Sequence, residues 1–193
     1  MEIYTPNVLR ETSSGIKAYS ILDEMLSHRE IECTGEVTAG MVYALCRQLR
    51  HLQREDPEIE ITMFINSPGG SVDDGLVLYD VMKGISCPVR TVCMGMAASM
   101  GAVLFAAGDH RDILPHSRVM IHDPLISRTG GTALSLQEIS ENLMQTRQHM
   151  GALLAQATGR TLEEIFEKTR KDTFFTAQEA VDFGLADRII HTI

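Results

Sequence analysis

Two stretches of this chain repeat one pattern, and the repeat limits the fold more than any other feature. In each, a short apolar run leads into a glycine-rich turn and then into a helix-forming segment. The first passes from Glu60 through Ile61, Met63 and Ile65 into Asn66-Ser67-Pro68-Gly69-Gly70-Ser71, followed by a helix from Val72 to about Ile85. The second passes from Val89 to Met94 into Gly95-Met96-Ala97-Ala98-Ser99, followed by a small-residue segment to Gly108 that suits a closely packed helix. Strands alternating with helices predict an α/β fold with a mostly parallel sheet. Sites in such sheets gather where strand ends meet helix starts, so both turns are expected at one edge.

The remaining segments fill out that frame. Lys17 to Ser27 carries Ala18, Ile21, Leu22, Met25 and Leu26 at helical spacing, and a strand is expected at Glu30 to Cys33. Thr38 can cap a helix to Arg54 whose buried stripe is Met41, Val42, Leu45, Leu49 and Leu52. Arg111–Leu114 and Arg118–His122 read as short strands. A helix from Ala133 to about Gln156 would span ~30–36 Å at 1.5 Å per residue, more than one small domain covers, so it is expected to project onto a neighbouring subunit. Gly159 stops it. Thr161 with Glu164 and Thr176 with Glu179 have capping-box form, and Asp172 to Phe175 reads as extended. With 193 residues and no linker or low-complexity segment, one domain is expected.

Composition removes several function classes. Net charge is −9 with Lys and Arg scattered, which argues against a nucleic-acid-binding surface. No apolar run approaches the ~20 residues of a membrane span, and Met1 to Arg10 lacks the form of a signal peptide, so a cytoplasmic location is expected. Cys33, Cys46, Cys87 and Cys93 form no C-x-x-C pair and are expected to be buried, reduced thiols. The seven histidines show no metal spacing, and no phosphate-loop motif occurs. No metal and no cofactor are expected.

Ser99, at a strand-to-helix turn, is either a plain N-cap or a nucleophile stabilised by nearby backbone N–H groups. Acyl transfer needs a base, a group to orient that base, and donors for the oxyanion. Gly69-Gly70 and the amide of Met100 can supply donors. His122, at the end of Val119-Met120-Ile121, is the candidate base, ahead of His110 and His116 in their more polar turns. Asp123, Asp172 and Asp112 are all candidate orienters, and spacing does not choose among them.

Ile65-Asn66-Ser67-Pro68-Gly69-Gly70, Met94 to Gly101, Ser117 to His122 and Ala177 to Asp187 occur in this order. Together they closely resemble the proteolytic subunit of the Clp protease, the ClpP family, over a match from about Pro6 to the C-terminus. The resemblance implies a crotonase/ClpP-like α/β fold of repeated strand-turn-helix units. It implies a single peptidase domain over 1–193, with an N-terminal axial segment at 1–17 and a protruding handle excursion at about 123–158. It assigns Ser99 as nucleophile, His122 as base and Asp172 as orienting acid, with the amides of Gly70 and Met100 as oxyanion donors. Substrate backbone is expected to pair near Val72 and Leu125. As partners it implies stacked seven-membered rings of itself, a hexameric AAA+ unfoldase, unfolded polypeptide substrates and room for a second paralogue.

Departures from the family pattern are specific. After His122 the family usually has Gln-Pro and then paired glycines, whereas here Asp123-Pro124-Leu125-Ile126-Ser127 intervenes before Gly130-Gly131. Asp123 would favour the protonated form of His122 if its carboxylate came near the imidazole. Arg170-Lys171 replaces an acidic-then-basic pair that links rings, and Thr12 to Lys17 lacks the charged axial sequence. Two alternatives follow. One is a weakly active or structural ring subunit in a mixed assembly, and the other is a crotonase-type acyl-CoA enzyme of the same fold.

Overall fold

The computed structural model describes residues 6–13, 15–126 and 130–193. The chain opens with an antiparallel hairpin of β1 (Asn7–Thr12) and β2 (Gly15–Ser20). The helix expected from Lys17 is therefore shorter. Residues 17–20 belong to β2, and α1 (Ile21–Ser27) starts at Ser20, whose side chain and that of Asp23 form a capping box. Apolar spacing did not register that cap, which competes for the chain at that point.

The main sheet runs in the order β3 (Glu30–Thr34), β4 (Ile61–Ser67), β5 (Val89–Ala98), β6 (His110–Ile113) and β9 (Arg188–Ile189), all parallel. Two further strands leave this path. β7 (Arg118–Ile121) pairs in parallel with the end of β5, and β8 (Thr173–Thr176) pairs antiparallel with β7. The helix α2 (Ala39–Glu55) is capped by Thr38 and buries Val42, Leu45, Cys46, Leu49 and Leu52. Met41 is only half-buried and packs against that core. The helix α3 (Val72–Gly84) begins after the first glycine-rich turn, and α4 (Met100–Ala106) is buried at every residue.

β5 is longer than the sequence reading allowed, running through the glycine-rich motif to Ala98 instead of ending at Met94. The reason is a bulge. Between the pairs Ile65↔Cys93 and Ser67↔Ala97, β5 advances four residues while β4 advances two. Gly95 sits there at φ 102°, and a Cβ on it would lie 2.9 Å from Asn66 Oδ1. Asn66 Oδ1 accepts from Met96 N–H and Ser117 Oγ from Gly95 N–H. The bulge lets β5 change neighbours, from β6 along Arg90–Cys93 to β7 along Met96–Ala98.

The helix α5 (Ala133–Thr158) has 26 residues, about 39 Å at 1.5 Å each. Its buried residues are Met150, Gly151 and Leu154, all in the last third. Leu134, Leu136 and Met144 are exposed, so the N-terminal two-thirds stands away from the core. Gly159 ends it in a left-handed C-cap, and α6 (Leu162–Thr169) and α7 (Ala177–Phe183) both start with the expected capping boxes. All four cysteines are free and buried.

Two arginine-centred groups tie separate segments together. Arg29, at φ 62°, donates to the carbonyls of Leu52, Asp56, Ile59 and Glu60, and so fastens the end of α2 to the loop before β4. Asp112 is buried on β6 between Arg90 and Arg188. Burial by itself would raise its carboxyl, but the hydrogen bonds and charges of Arg188 and Arg90 outweigh burial and hold it below the usual carboxylate range. A lowered folded-state value stabilises the fold above the unfolded carboxylate value of about 3.9, and that stabilisation drains as pH falls through the folded value. Asp112→Asn is therefore expected to flatten the fall of unfolding free energy below about pH 4, and to cost about 1–3 kcal/mol at neutral pH, because water reaches the Arg188 left behind. Urea unfolding across about pH 2–7 reads both effects.

Candidate active site

The two glycine-rich turns meet at the C-terminal edge of the parallel strands. Ser99 follows β5 directly and adopts φ 55°, ψ −122°, a region that disfavours side-chain-bearing residues. Its N–H donates to the Met120 carbonyl at 2.8 Å, which fixes the turn against β7. Although Ser99 stands at the N-cap position, its side chain makes no capping bond. Instead Ser99 Oγ lies 2.9 Å from His122 Nε2, one residue beyond the end of β7. A serine held on a strained strand-to-helix turn, with its hydroxyl on an imidazole, has the local form of an activated nucleophile.

The three candidate carboxylates separate cleanly. Asp112 is committed to Arg90 and Arg188. Asp123 turns away from the imidazole: its Oδ2 accepts from Arg147 Nε at 2.7 Å and its Oδ1 from Thr169 Oγ1 at 2.5 Å. The expectation that Asp123 would bear on His122 by direct charge has no contact to support it among the described residues. Asp172 is exposed and enters no hydrogen bond or ion pair among the described residues. Its backbone position is suggestive nonetheless. β7 and β8 pair antiparallel up to Ile121↔Thr173, and one further step along both strands sets His122 opposite Asp172.

Of the two expected oxyanion donors, Met100 directly follows the serine and Gly70 follows Gly69 on the turn that packs against it. Met100 is the first residue of α4, where a backbone N–H has no intrahelical carbonyl to meet. The first turn is pinned by Val37, whose N–H donates to Gly69 O and whose carbonyl accepts from Ser71 N–H. That parallel bridge leaves the N–H of Gly70 facing away from Val37. The two turns are in close contact at Gly69, where a Cβ would lie 2.6 Å from Ser99 Cβ and 3.1 Å from Met100 N. Ser67, the other serine here, is fully buried and accepts from Gly69 N–H, a structural task.

An apolar pocket of about 30 Å³ opens beside Ser99 and His122, walled by Val72, Met100, Val103, Ile121, Met150 and Leu154. Val72 and Pro124 also border a neighbouring groove of about 330 Å³ that includes Leu125 and Leu143. Of the two residues expected from the sequence to meet substrate, Val72 lines both the pocket beside Ser99 and the neighbouring groove, while Leu125 lines the groove alone. Of the altered 125–131 segment, residues 127–129 lie outside the described residues, as do residues 1–5 and 14 of the expected axial segment. Arg170 pairs with Glu167 on the surface. Burial pushes the thiols of Cys33 and Cys93 up to about 12, which leaves them inert as nucleophiles at neutral pH. Among the described residues no group of His, Cys, Asp or Glu is placed to hold a metal ion, and no helix is long and apolar enough to cross a membrane.

This geometry has relatives. Residues 13–193 match the model of the family described as Clp protease. The chain belongs to the Clp protease family. It is also 43% identical over 187 residues to the ATP-dependent Clp protease proteolytic subunit of Ligilactobacillus salivarius (strain UCC118), covering 96% of this chain and 94% of that protein. Its mixed α/β architecture, with a mostly parallel sheet and a projecting helix, is that of a ClpP-like fold. For a Clp protease chain, the engagement of Asp123 by Arg147 and Thr169 is the part that sequence reasoning missed. Opposite charges at Asp123 and Arg147 were the available signal, but only folding brings residues 24 apart together.

Proposed function

We propose that this chain is the proteolytic subunit of an ATP-dependent protease and cleaves peptide bonds by serine acyl transfer. The contact between Ser99 Oγ and His122 Nε2, on a strained turn at the mouth of an apolar pocket, carries the reading. His122 removes the Ser99 proton as the hydroxyl attacks the scissile carbonyl, and returns it to the leaving amine. Water then resolves the acyl-enzyme by the reverse use of the same base. The amides of Gly70 and Met100 hold the oxyanion, and Asp172 orients the imidazole through Nδ1. Substrate runs along the depression between Val72 and Leu125.

The whole chain, 1–193, acts as one peptidase domain, with 1–17 as the axial segment and about 123–158 as the handle. The exposed face of α5 calls for a neighbour, and the proposal supplies one in stacked seven-membered rings that enclose a chamber. No phosphate-loop motif occurs in the sequence, so ATP is assigned to a hexameric AAA+ unfoldase that delivers unfolded polypeptide. The compartment that fits this partnership is the cytoplasm.

One observation favours a second reading. Asp172 makes no contact with His122 among the described residues, as expected of a ring subunit whose site aligns only within a larger assembly. Intact mass after exposure to a fluorophosphonate separates the two, with Ser99→Ala as control. One adduct per chain, absent in the variant, is expected. No adduct on the purified protein would sink the self-sufficient peptidase and leave the subunit that needs a partner ring.

A further inference from the structure

His122 and Asp172 are held within a closed frame whose far side is a clamp of Asp123, Thr169 and Arg147. Each neighbour of His122 is bonded to one flank of the Asp172 segment. Ile121 pairs with Thr173 in the β7–β8 ladder, and Asp123 N–H donates to the Thr169 carbonyl at 2.7 Å. The side chain of Asp123 doubles the second link by accepting from Thr169 Oγ1 at 2.5 Å. Thr173 Oγ1 in turn donates to the Lys168 carbonyl, tying the two ends of the segment to each other. Only Arg170, Lys171 and Asp172 lie between the fastened ends.

Arg147 closes the frame from α5. Its Nε donates to Asp123 Oδ2 at 2.7 Å, and its guanidinium lies 3.7 Å from the centre of the Phe166 ring on α6. Both charged side chains are mostly buried, with 22% of Arg147 and 33% of Asp123 exposed, so the pair is shielded enough to resist salt. The base, the loop after it and the end of α6 are thus joined to the projecting helix at one point.

We infer that Asp123 and Arg147 are positioning residues that set the distance between His122 and Asp172. The inference rests on the peptidase reading for its catalytic consequence, but the placement of the imidazole can be read separately. Loss of the clamp leaves the 169–172 segment tied to the loop after His122 by the single backbone bond from Asp123 N–H to the Thr169 carbonyl, and the imidazole loses part of its fixed orientation. A displacement of about 1 Å at such a site can cost on the order of 10²-fold in rate.

Histidine-labelled full-length protein tests this, as wild type and as Asp123→Asn, Arg147→Met and Arg147→Lys. The His122 imidazole resonances, assigned with His122→Ala, are expected to shift and broaden in the first two variants and to recover in Arg147→Lys. Fluorophosphonate labelling per folded chain is expected to fall roughly 10-fold in the same two variants, with kcat on a short peptide falling and KM little changed. Imidazole resonances unmoved in every variant, or labelling within roughly twofold of wild type once the folded fraction is counted, would overturn the positioning role. Should the imidazole respond while even wild type takes no label, the clamp stands and the peptidase reading falls.

Discussion

Replacing Ser99 by alanine is expected to lower kcat/KM for a short fluorogenic peptide by at least ~10⁴-fold, and replacing His122 by alanine by about as much. The hydroxyl and the imidazole share one hydrogen bond at 2.9 Å and one proton transfer, so each is useless without the other. The double variant should therefore be no slower than either single one. Residual turnover, if any, would come from the oxyanion donors and from binding alone. Effects that multiply in the double variant would mean that the two residues act apart, contrary to the acyl-transfer reading. Neither change should disturb the fold much, because Ser99→Ala removes one hydroxyl and His122 lies past the end of β7. A substitution at Ser99 also leaves the strained backbone in place, since φ 55° is set by the turn between β5 and α4.

A second large effect is expected at Gly69, which never touches the proton transfer. Its φ of 95° disfavours any side chain, and an added Cβ would press on Ser99 Cβ at 2.6 Å, Ala98 O at 2.8 Å and Met100 N at 3.1 Å. Two of those neighbours are backbone and cannot swing aside. Gly69→Ala must therefore part the two glycine-rich turns, carrying Gly70 away from Ser99 and Met100. The expected loss is ~10²–10³-fold in kcat, the cost of removing an oxyanion donor, with about 1–3 kcal/mol of stability lost to strain. Gly40→Ala is the matched control. It sits in α2 with open space around its Cα, and the change should be neutral or stabilise the fold by up to about 1 kcal/mol. Urea midpoints and fluorophosphonate labelling rates on both variants decide the matter. A Gly69→Ala protein that labels at the wild-type rate would remove the contact between turns from the mechanism.

Much of this architecture was legible in local chemistry. Thr38, Thr161 and Thr176 each begin a helix because a β-region threonine can accept from an amide three residues on, and Gly159 ends one because it tolerates the left-handed region. Alternation at Ile61, Met63 and Ile65, and the apolar stripe from Val42 to Leu52, report burial directly because period follows geometry. The repeated strand, turn and helix by themselves imply that Ser99 and Gly69-Gly70 share one sheet edge. Where local signals competed, the reading slipped. Residues 17–20 have helical spacing yet pair with Asn7–Arg10, because a hairpin partner satisfies backbone groups that spacing does not count.

What the sequence by itself determined is the set of elements and the short list of groups able to do acyl chemistry. Folding alone decided which of them meet. His122 ends an apolar strand while His110 and His116 sit in more polar turns, but that ranking brings no histidine to the serine; His122 reaches Ser99 because β7 lies beside the end of β5. Asp112, Asp123 and Asp172 were interchangeable on paper until the sheet gave the first to two arginines and α5 gave the second to Arg147. The physical reason is that hydrogen bonds and ion pairs depend on distances of about 3 Å, while sequence separation carries no distance once the chain turns back on itself. Secondary structure is written in neighbours along the chain, and an active site is written in neighbours across it.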